Sequence, residues 1–122
     1  MSLESQNNQL INNQWQIGLG HSFSSINPSN GEVLWQGLSA TPEQVDNAIK
    51  AARNAQVNWA DMPLDERISI LENFASLLKK HSEEFATIIA KETGKPIWET
   101  RTEVGAMTGK VAISVRAYNE RT

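Results

Sequence analysis

The chain has 122 residues, enough for one modest domain that buries about two-thirds of its unfolded surface. Hydrophobic residues make up 39% and charged residues 20%, the net charge is -3, and Lys and Arg gather nowhere, which excludes a disordered acidic tail and leaves no basic face for nucleic acid. Cysteine is absent, removing disulfides, thiolate metal sites and a cysteine nucleophile; no segment reaches the roughly 20 apolar residues that span a bilayer, so no membrane partner is expected.

Residues 1–9 are polar and rich in Asn and Gln, and are expected to form a flexible tail. The first twenty residues show neither a basic start nor an apolar run, so no secretory signal is read there and the cytoplasm is the expected location. Short apolar runs from Leu10 to Trp15 and from Ser22 to Ile26 flank Gly18 and Gly20, which suits two strands joined by a glycine turn. In "NPSNGEVLWQG", Asn27-Pro28 opens a turn, Asn30-Gly31 closes one, and Val33, Leu34 and Trp35 supply a further strand of a small antiparallel sheet. The strands are expected over about 10–36.

A helix is predicted over about 42–60, with Thr41 as cap, Pro42 at the first helical position and Gln44 completing a capping box. Its apolar positions Val45, Ala48, Ile49, Ala52, Ala55 and Trp59 are largely small, which lets another element approach closely. After Pro63 a second helix is predicted over 64–93, with Ile70, Phe74, Leu77, His81, Phe85 and Ile88 near one stripe. About 30 residues would extend about 45 Å. Such length predicts a bend near His81-Ser82. Gly94 stands where a left-handed cap belongs, and Pro96 prevents continuation. The third helix, over about 97–120, carries Trp98, Val104, Met107, Val111, Val115 and Tyr118, and shows no stop signal.

Each candidate chemical motif has a plainer reading. Gly94-Lys95 lacks the Walker pattern, since Ile89 and Pro96 occupy the positions of the first Gly and the hydroxyl residue. Gly18-Leu19-Gly20 lacks the last Gly of a dinucleotide fingerprint, where Phe23 stands. His81 and Glu84 share a helix face, but two ligands do not make a metal site. His21 beside Ser22, Ser24 and Ser25 lacks an orienting acid. Glu92, Glu99 and Glu103 form a carboxylate-rich stretch that Lys95 and Arg101 can neutralise. Lys110 interrupts the apolar stripe between Met107 and Val111, so its ammonium either snorkels to water or faces an anion.

Taken together, these features resemble the N-terminal region of NAD(P)-dependent aldehyde dehydrogenases. "INPSNGEV" is similar to that family's N-terminal strand and turn, "AIKAARNAQVNWADMPLDERISILENFASLLKKHSEEFATIIAKETGKP" to its first two helices, and "IWETRTEV" to the start of the next. The likeness covers residues 10–122. Within the family, "GEVLWQG" and "KVAISVRAYNERT" resemble the N-succinylglutamate 5-semialdehyde dehydrogenase branch of bacterial arginine catabolism.

The resemblance implies an α+β fold of small N-terminal antiparallel strands followed by about three helices, a partial aldehyde dehydrogenase fold forming one segment over 10–122. It implies a larger enzyme in which a cysteine thiolate attacks the aldehyde, hydride passes to NAD, and a glutamate assists release of the acid. None of that catalytic or cofactor-binding set maps onto this chain, which alone is expected to be inactive and to bind no cofactor. Its expected partners are the remainder of such an enzyme, or further copies through the apolar helix faces. In the family, one face of the helix matching 97–119 borders the substrate entrance, and the resemblance puts Ala106 and Lys110 on that face as entrance candidates. The alternative is a stand-alone helical interaction or oligomerisation module derived from the family.

Overall fold

The structure, a computed structural model, describes residues 7–122. The fold is α+β, with two small antiparallel strand pairs and four helices among the described residues. The chain forms two compact units, one ending at Asp61 and the other running from Met62 to Thr122.

In the first unit, β1 (Gln9–Ile11) pairs antiparallel with β2 (Gln14–Gln16), Leu10 opposite Trp15. The run read from sequence as one strand is therefore a complete hairpin. Asn12 and Asn13 make its turn with φ of 51° and 61°, the left-handed pair of a two-residue turn whose twist matches the strands. Asparagine tolerates this region better than other residues with a Cβ, which is why an Asn-Asn step serves where no glycine is present. Of the tail expected over 1–9, the part through residue 6 lies outside the described residues. Asn8 and Gln9 belong to the hairpin, the Asn8 N–H donating to Gln16 O.

Gly18 and Gly20 do not make the hairpin turn. They let the backbone pass against the end of β4 (Val33–Leu38): a Cβ on Gly18 would lie 2.1 Å from Leu38 O, and one on Gly20 2.4 Å from Ser39 Oγ. The strand that Ser22–Ile26 forms, β3, pairs instead with β4, Ser22 opposite Leu38 and Ile26 opposite Val33, with an irregularity at Ser25/Ile26. On this ribbon Phe23 and Trp35 pack with ring centroids 5.0 Å apart and planes tilted by 57°.

α1 (Pro42–Asp61) begins with the expected capping box: Gln44 N–H donates to Thr41 Oγ1 (3.2 Å) and Thr41 N–H to Gln44 Oε1 (3.1 Å). The same glutamine reaches further. Its Oε1 also accepts from Leu19 N–H (3.0 Å) and its Nε2 donates to Ile17 O (2.9 Å), so the side chain is buried with its polar atoms paired. Asn8 holds the same segment from another side, accepting from Gly18 N–H (2.9 Å) and donating to Leu38 O (2.7 Å). The small face of α1, Ala48, Ala51, Ala52 and Ala55, leaves a shallow groove beside Leu10–Asn13.

In the second unit, the span 64–93 is two helices, α2 (Leu64–Lys80) and α3 (Ser82–Thr93), meeting at His81. His81 has φ -101° and ψ 20°, and helical hydrogen bonding continues across it through His81 N–H to Leu77 O and Phe85 N–H to His81 O. Gly94 then adopts φ 74°, its N–H donating to Ala90 O (2.9 Å), and Pro96 is extended at the start of α4 (Ile97–Arg121). This reversal lays α4 back along α3 and then α2. Ala86, Thr100 and Val104 become almost wholly inaccessible, and Leu78 is buried as well. The Thr100 hydroxyl costs little there because it donates to Ile97 O (3.0 Å).

The buried face of α2 and α3 differs from the stripe that sequence periodicity singles out. Ala75, Leu78 and Ala86 turn inward; of the predicted stripe His81 and Phe85 are half-buried, whereas Ile70 (49% exposed), Phe74 (53%), Leu77 (49%) and Ile88 (53%) point outward. On α4 the inward line is Thr100, Val104, Thr108, Val111 and Val115, while Trp98 is 68% exposed and Met107 and Tyr118 are also exposed. Small inward residues allow close helix approach, and the larger apolar side chains remain on the other side.

Two ion pairs fasten α4 near the reversal. Arg101 donates to both Glu83 carboxylate oxygens, Nε to Oε1 at 3.0 Å and Nη2 to Oε2 at 2.9 Å, and Lys95 Nζ pairs with Glu103 Oε1. The Arg101 hydrogen bond holds Glu83 below the ordinary carboxylate value, and the Glu103 hydrogen bond raises Lys95 above the ordinary amine value.

Replacing Gln44 with Ala is expected to cost about 2 kcal/mol in urea unfolding, because a cap is lost and Leu19 N–H and Ile17 O lose their partners. Gln44→Glu should not restore it, since a carboxylate cannot donate to Ile17 O. For Glu83 the folded pKa is the depressed one, so its contribution is present above the unfolded value and lost as pH falls through the folded value. The urea midpoint of the wild type should therefore exceed that of Arg101→Gln at neutral pH and converge with it in acid; a gap that persists unchanged in strong acid would contradict the assignment.

Candidate functional site

The glycine motifs of the sequence are occupied by the chain itself. Around Gly18-Leu19-Gly20 the space a phosphate would need is taken by Leu38 O, Ser39 and Ala40 O, and the Gly18 and Leu19 N–H groups already donate to Asn8 and Gln44. These residues do not fit a dinucleotide. Gly94-Lys95 is a helix end: Gly94 N–H is spent on Ala90 O and the Lys95 ammonium on Glu103.

The polar clusters resolve in the same manner. His81 Nδ1 lies 3.0 Å from Glu84 Oε1, while Glu83 turns to Arg101, and among the described residues no group of three His, Cys, Asp or Glu side chains could hold a metal ion. Ser22 Oγ accepts from Gln36 Nε2 at 3.5 Å, and no hydrogen bond joins it to His21. Glu99 and Glu103 both act on Lys95, Glu103 by direct pairing and Glu99 through its field, so these carboxylates surround a cation and do not form an acid/base pair with each other.

Ala106 and Lys110 lie one turn apart on α4, both exposed, on the side opposite Thr100, Val104 and Thr108. Lys110 does not interrupt the buried stripe, as its position between Met107 and Val111 suggests. Val111 turns inward with Val104, Met107 lies at the margin, and Lys110 falls on the outward face. No ion pair joins Lys110 to another described residue. Its ammonium is available to an anion in solution.

Two grooves along α4 escape sequence reading, because they depend on which side of α2 and α3 receives it. One, of about 570 Å³, is floored by Ala75, Val111 and Val115 and edged by Glu72, Arg116 and Glu120. The other, of about 440 Å³, runs past Lys79, Ser82, Gly105 and Gly109 beside the Glu83–Arg101 pair. Neither gathers the nucleophile, base and orienting group that covalent catalysis needs.

The fold has close relatives among solved structures. It is similar to an NAD-dependent benzaldehyde dehydrogenase from Corynebacterium glutamicum, with 29% identity and a TM-score of 0.81 over 91% of this chain and 24% of that one. An NADP-dependent glyceraldehyde-3-phosphate dehydrogenase from Bacillus halodurans gives 28% identity and a TM-score of 0.79, over 86% and 22%. A point variant of betaine aldehyde dehydrogenase from Staphylococcus aureus gives 25% identity and a TM-score of 0.81, over 91% and 24%. The chain thus spans about a quarter of the length of the solved structures it matches. Residues 15–121 match the model of the aldehyde dehydrogenase family, and the chain belongs to that family.

Proposed function

We propose that this chain is the N-terminal part of a nicotinamide-dependent aldehyde dehydrogenase that oxidises N-succinylglutamate 5-semialdehyde to the acid with NAD, and that the chain supplies scaffold and substrate steering while the chemistry resides elsewhere. The match over residues 15–121 carries the family part of this reading, the lack of cysteine supports placing the thiolate elsewhere, and only the resemblance of "GEVLWQG" and "KVAISVRAYNERT" supports the substrate. An aldehyde carbon needs a nucleophile before it can surrender hydride, and no group described above is placed to be one. Hydride acceptance is the chemistry the nicotinamide would supply when bound, and the Gly18-Leu19-Gly20 segment, filled by Leu38 O and Ser39, would not hold it.

The steering role falls to Lys110. Its unpaired ammonium on the outward face of α4, one turn from the small Ala106, suits a substrate whose far end carries several carboxylates. An exposed cation acts chiefly on encounter and is screened by salt. In the full-length enzyme, Lys110→Ala is expected to raise KM for the succinylated semialdehyde about fivefold at low salt, on the order of 1 kcal/mol, with little change in kcat. A neutral aldehyde should be unaffected. Equal KM values for wild type and variant would reject the role.

A second reading, a helical interaction or oligomerisation module, is favoured by the outward stripe of Ile70, Phe74, Leu77 and Ile88, each about half exposed. Apolar surface arranged along one helix face is commonly a contact surface. On this reading the purified 122-residue chain self-associates, and Phe74→Lys shifts it to monomer in sedimentation velocity. A monodisperse wild-type monomer across micromolar concentrations would count against it.

A further inference from the structure

The turn between β3 and β4 carries the one Asn-Gly step of the sequence, Asn30-Gly31. Both residues are exposed, and a Cβ built on Gly31 meets no atom within 4 Å, so the turn is open on the side where a side chain would stand. The amide of Asn30 is also held in a particular way. Its Oδ1 accepts the Glu32 N–H at 3.0 Å, and its Nδ2 lies 3.5 Å from Glu32 Oε2. A backbone donor on Oδ1 draws electron density from Cγ and would stabilise negative charge developing on that oxygen, as an oxyanion donor does.

We propose that Asn30-Gly31 is an intramolecular modification site, at which the backbone closes on the Asn30 side chain to a succinimide and then opens to isoaspartate or aspartate. The Gly31 nitrogen, having lost its proton to solvent, attacks Asn30 Cγ. A new N–Cγ bond forms, the Cγ–Nδ2 bond breaks, and ammonia leaves with a proton from water. Water then adds to either imide carbonyl: opening at the main-chain carbonyl leaves isoaspartate, opening at Cγ leaves aspartate. No oxidant, reductant or other co-reactant is needed.

The gate on this reaction is the hydrogen bond from Gly31 N–H to Asn27 O at 2.8 Å, which must open before the nitrogen can attack. It lies in a solvent-exposed turn, the class of backbone hydrogen bond that opens most readily. The product differs from the parent in charge and shape. It adds a carboxylate beside Glu32, and isoaspartate lengthens the main chain by a methylene within a turn closed by Asn27 N–H to Glu32 O at 2.9 Å. That turn fixes Ile26 opposite Val33, so the modified chain loses the register of the ribbon at this end.

The test incubates the 122-residue chain at neutral and at mildly acidic pH beside a synthetic peptide of residues 26–33, with fragmentation mass spectrometry distinguishing asparagine, aspartate and isoaspartate. The expected result is conversion of Asn30 in the folded chain at a rate of the same order as in the peptide. Isoaspartate should predominate, the reaction should be slower in acid, and Asn30→Gln should remove it. Amide hydrogen exchange on the converted fraction should show loss of protection in β3 and β4. An intact Asn30 in the chain after the peptide has largely converted would overturn the proposal, as would conversion to aspartate without isoaspartate.

Discussion

The second unit depends on one backbone conformation, the left-handed turn of Gly94. A residue with a Cβ would be strained by about 1–2 kcal/mol at φ 74°, and a right-handed residue there would carry α3 onward into solvent. Because the chain reverses, Thr100 and Val104 meet the small side of α3 at Ala86. Arg101 comes within bidentate reach of Glu83, and α4 continues along Ala75 and Leu78. The grooves, the outward position of Lys110 and the uncovered stripe of α2 all follow from the side on which α4 returns.

The first unit reaches its arrangement by different means. Among the described residues the buried apolar side chains are Leu78, Ala86 and Val104, all in the second unit. Two-strand ribbons are marginal by themselves in water. Here polar side chains supply the cross-links, Gln44 and Asn8 together bonding the main chain at Ile17, Gly18, Leu19 and Leu38. Such bonds are directional, so they fix the path of residues 17–20 more sharply than a loose apolar contact would. They also explain the glycines. A segment clamped on both sides against β4 has no room for side chains at Gly18 and Gly20.

Local signals in the sequence are legible where one short-range interaction decides the outcome. The Thr41–Gln44 box, the stop at Gly94 and Pro96 and the break at His81 are of this kind, each set by capping or backbone preference within a few residues. The signals that failed depend on a partner distant in sequence. Gly18 and Gly20 resemble a hairpin turn until Leu38 and Ser39 are brought against them, and Asn12-Asn13 was hidden inside an apolar run. Helical periodicity marked Ile70, Phe74 and Leu77 as a face, but it could not say that α4 would choose the smaller residues on the other side. The side of α4 that Lys110 occupies is likewise defined only once Val104 and Val111 are known to turn inward, and its exposed position agrees with an ammonium that reaches water.

That choice of face bears on what the chain is for. Burying a large aliphatic or aromatic side chain contributes about 1.5–3 kcal/mol, so leaving Ile70, Phe74, Leu77 and Ile88 half exposed while Ala86 is fully buried forgoes much of the stabilisation available to the helices. A sequence shaped only for an isolated three-helix unit would turn the larger side chains inward. The arrangement makes sense if the small faces serve helix-to-helix approach and the large faces serve contacts beyond the unit. On that view the inner faces hold the helices in place, and the outer faces are left for contacts that the unit does not make with itself.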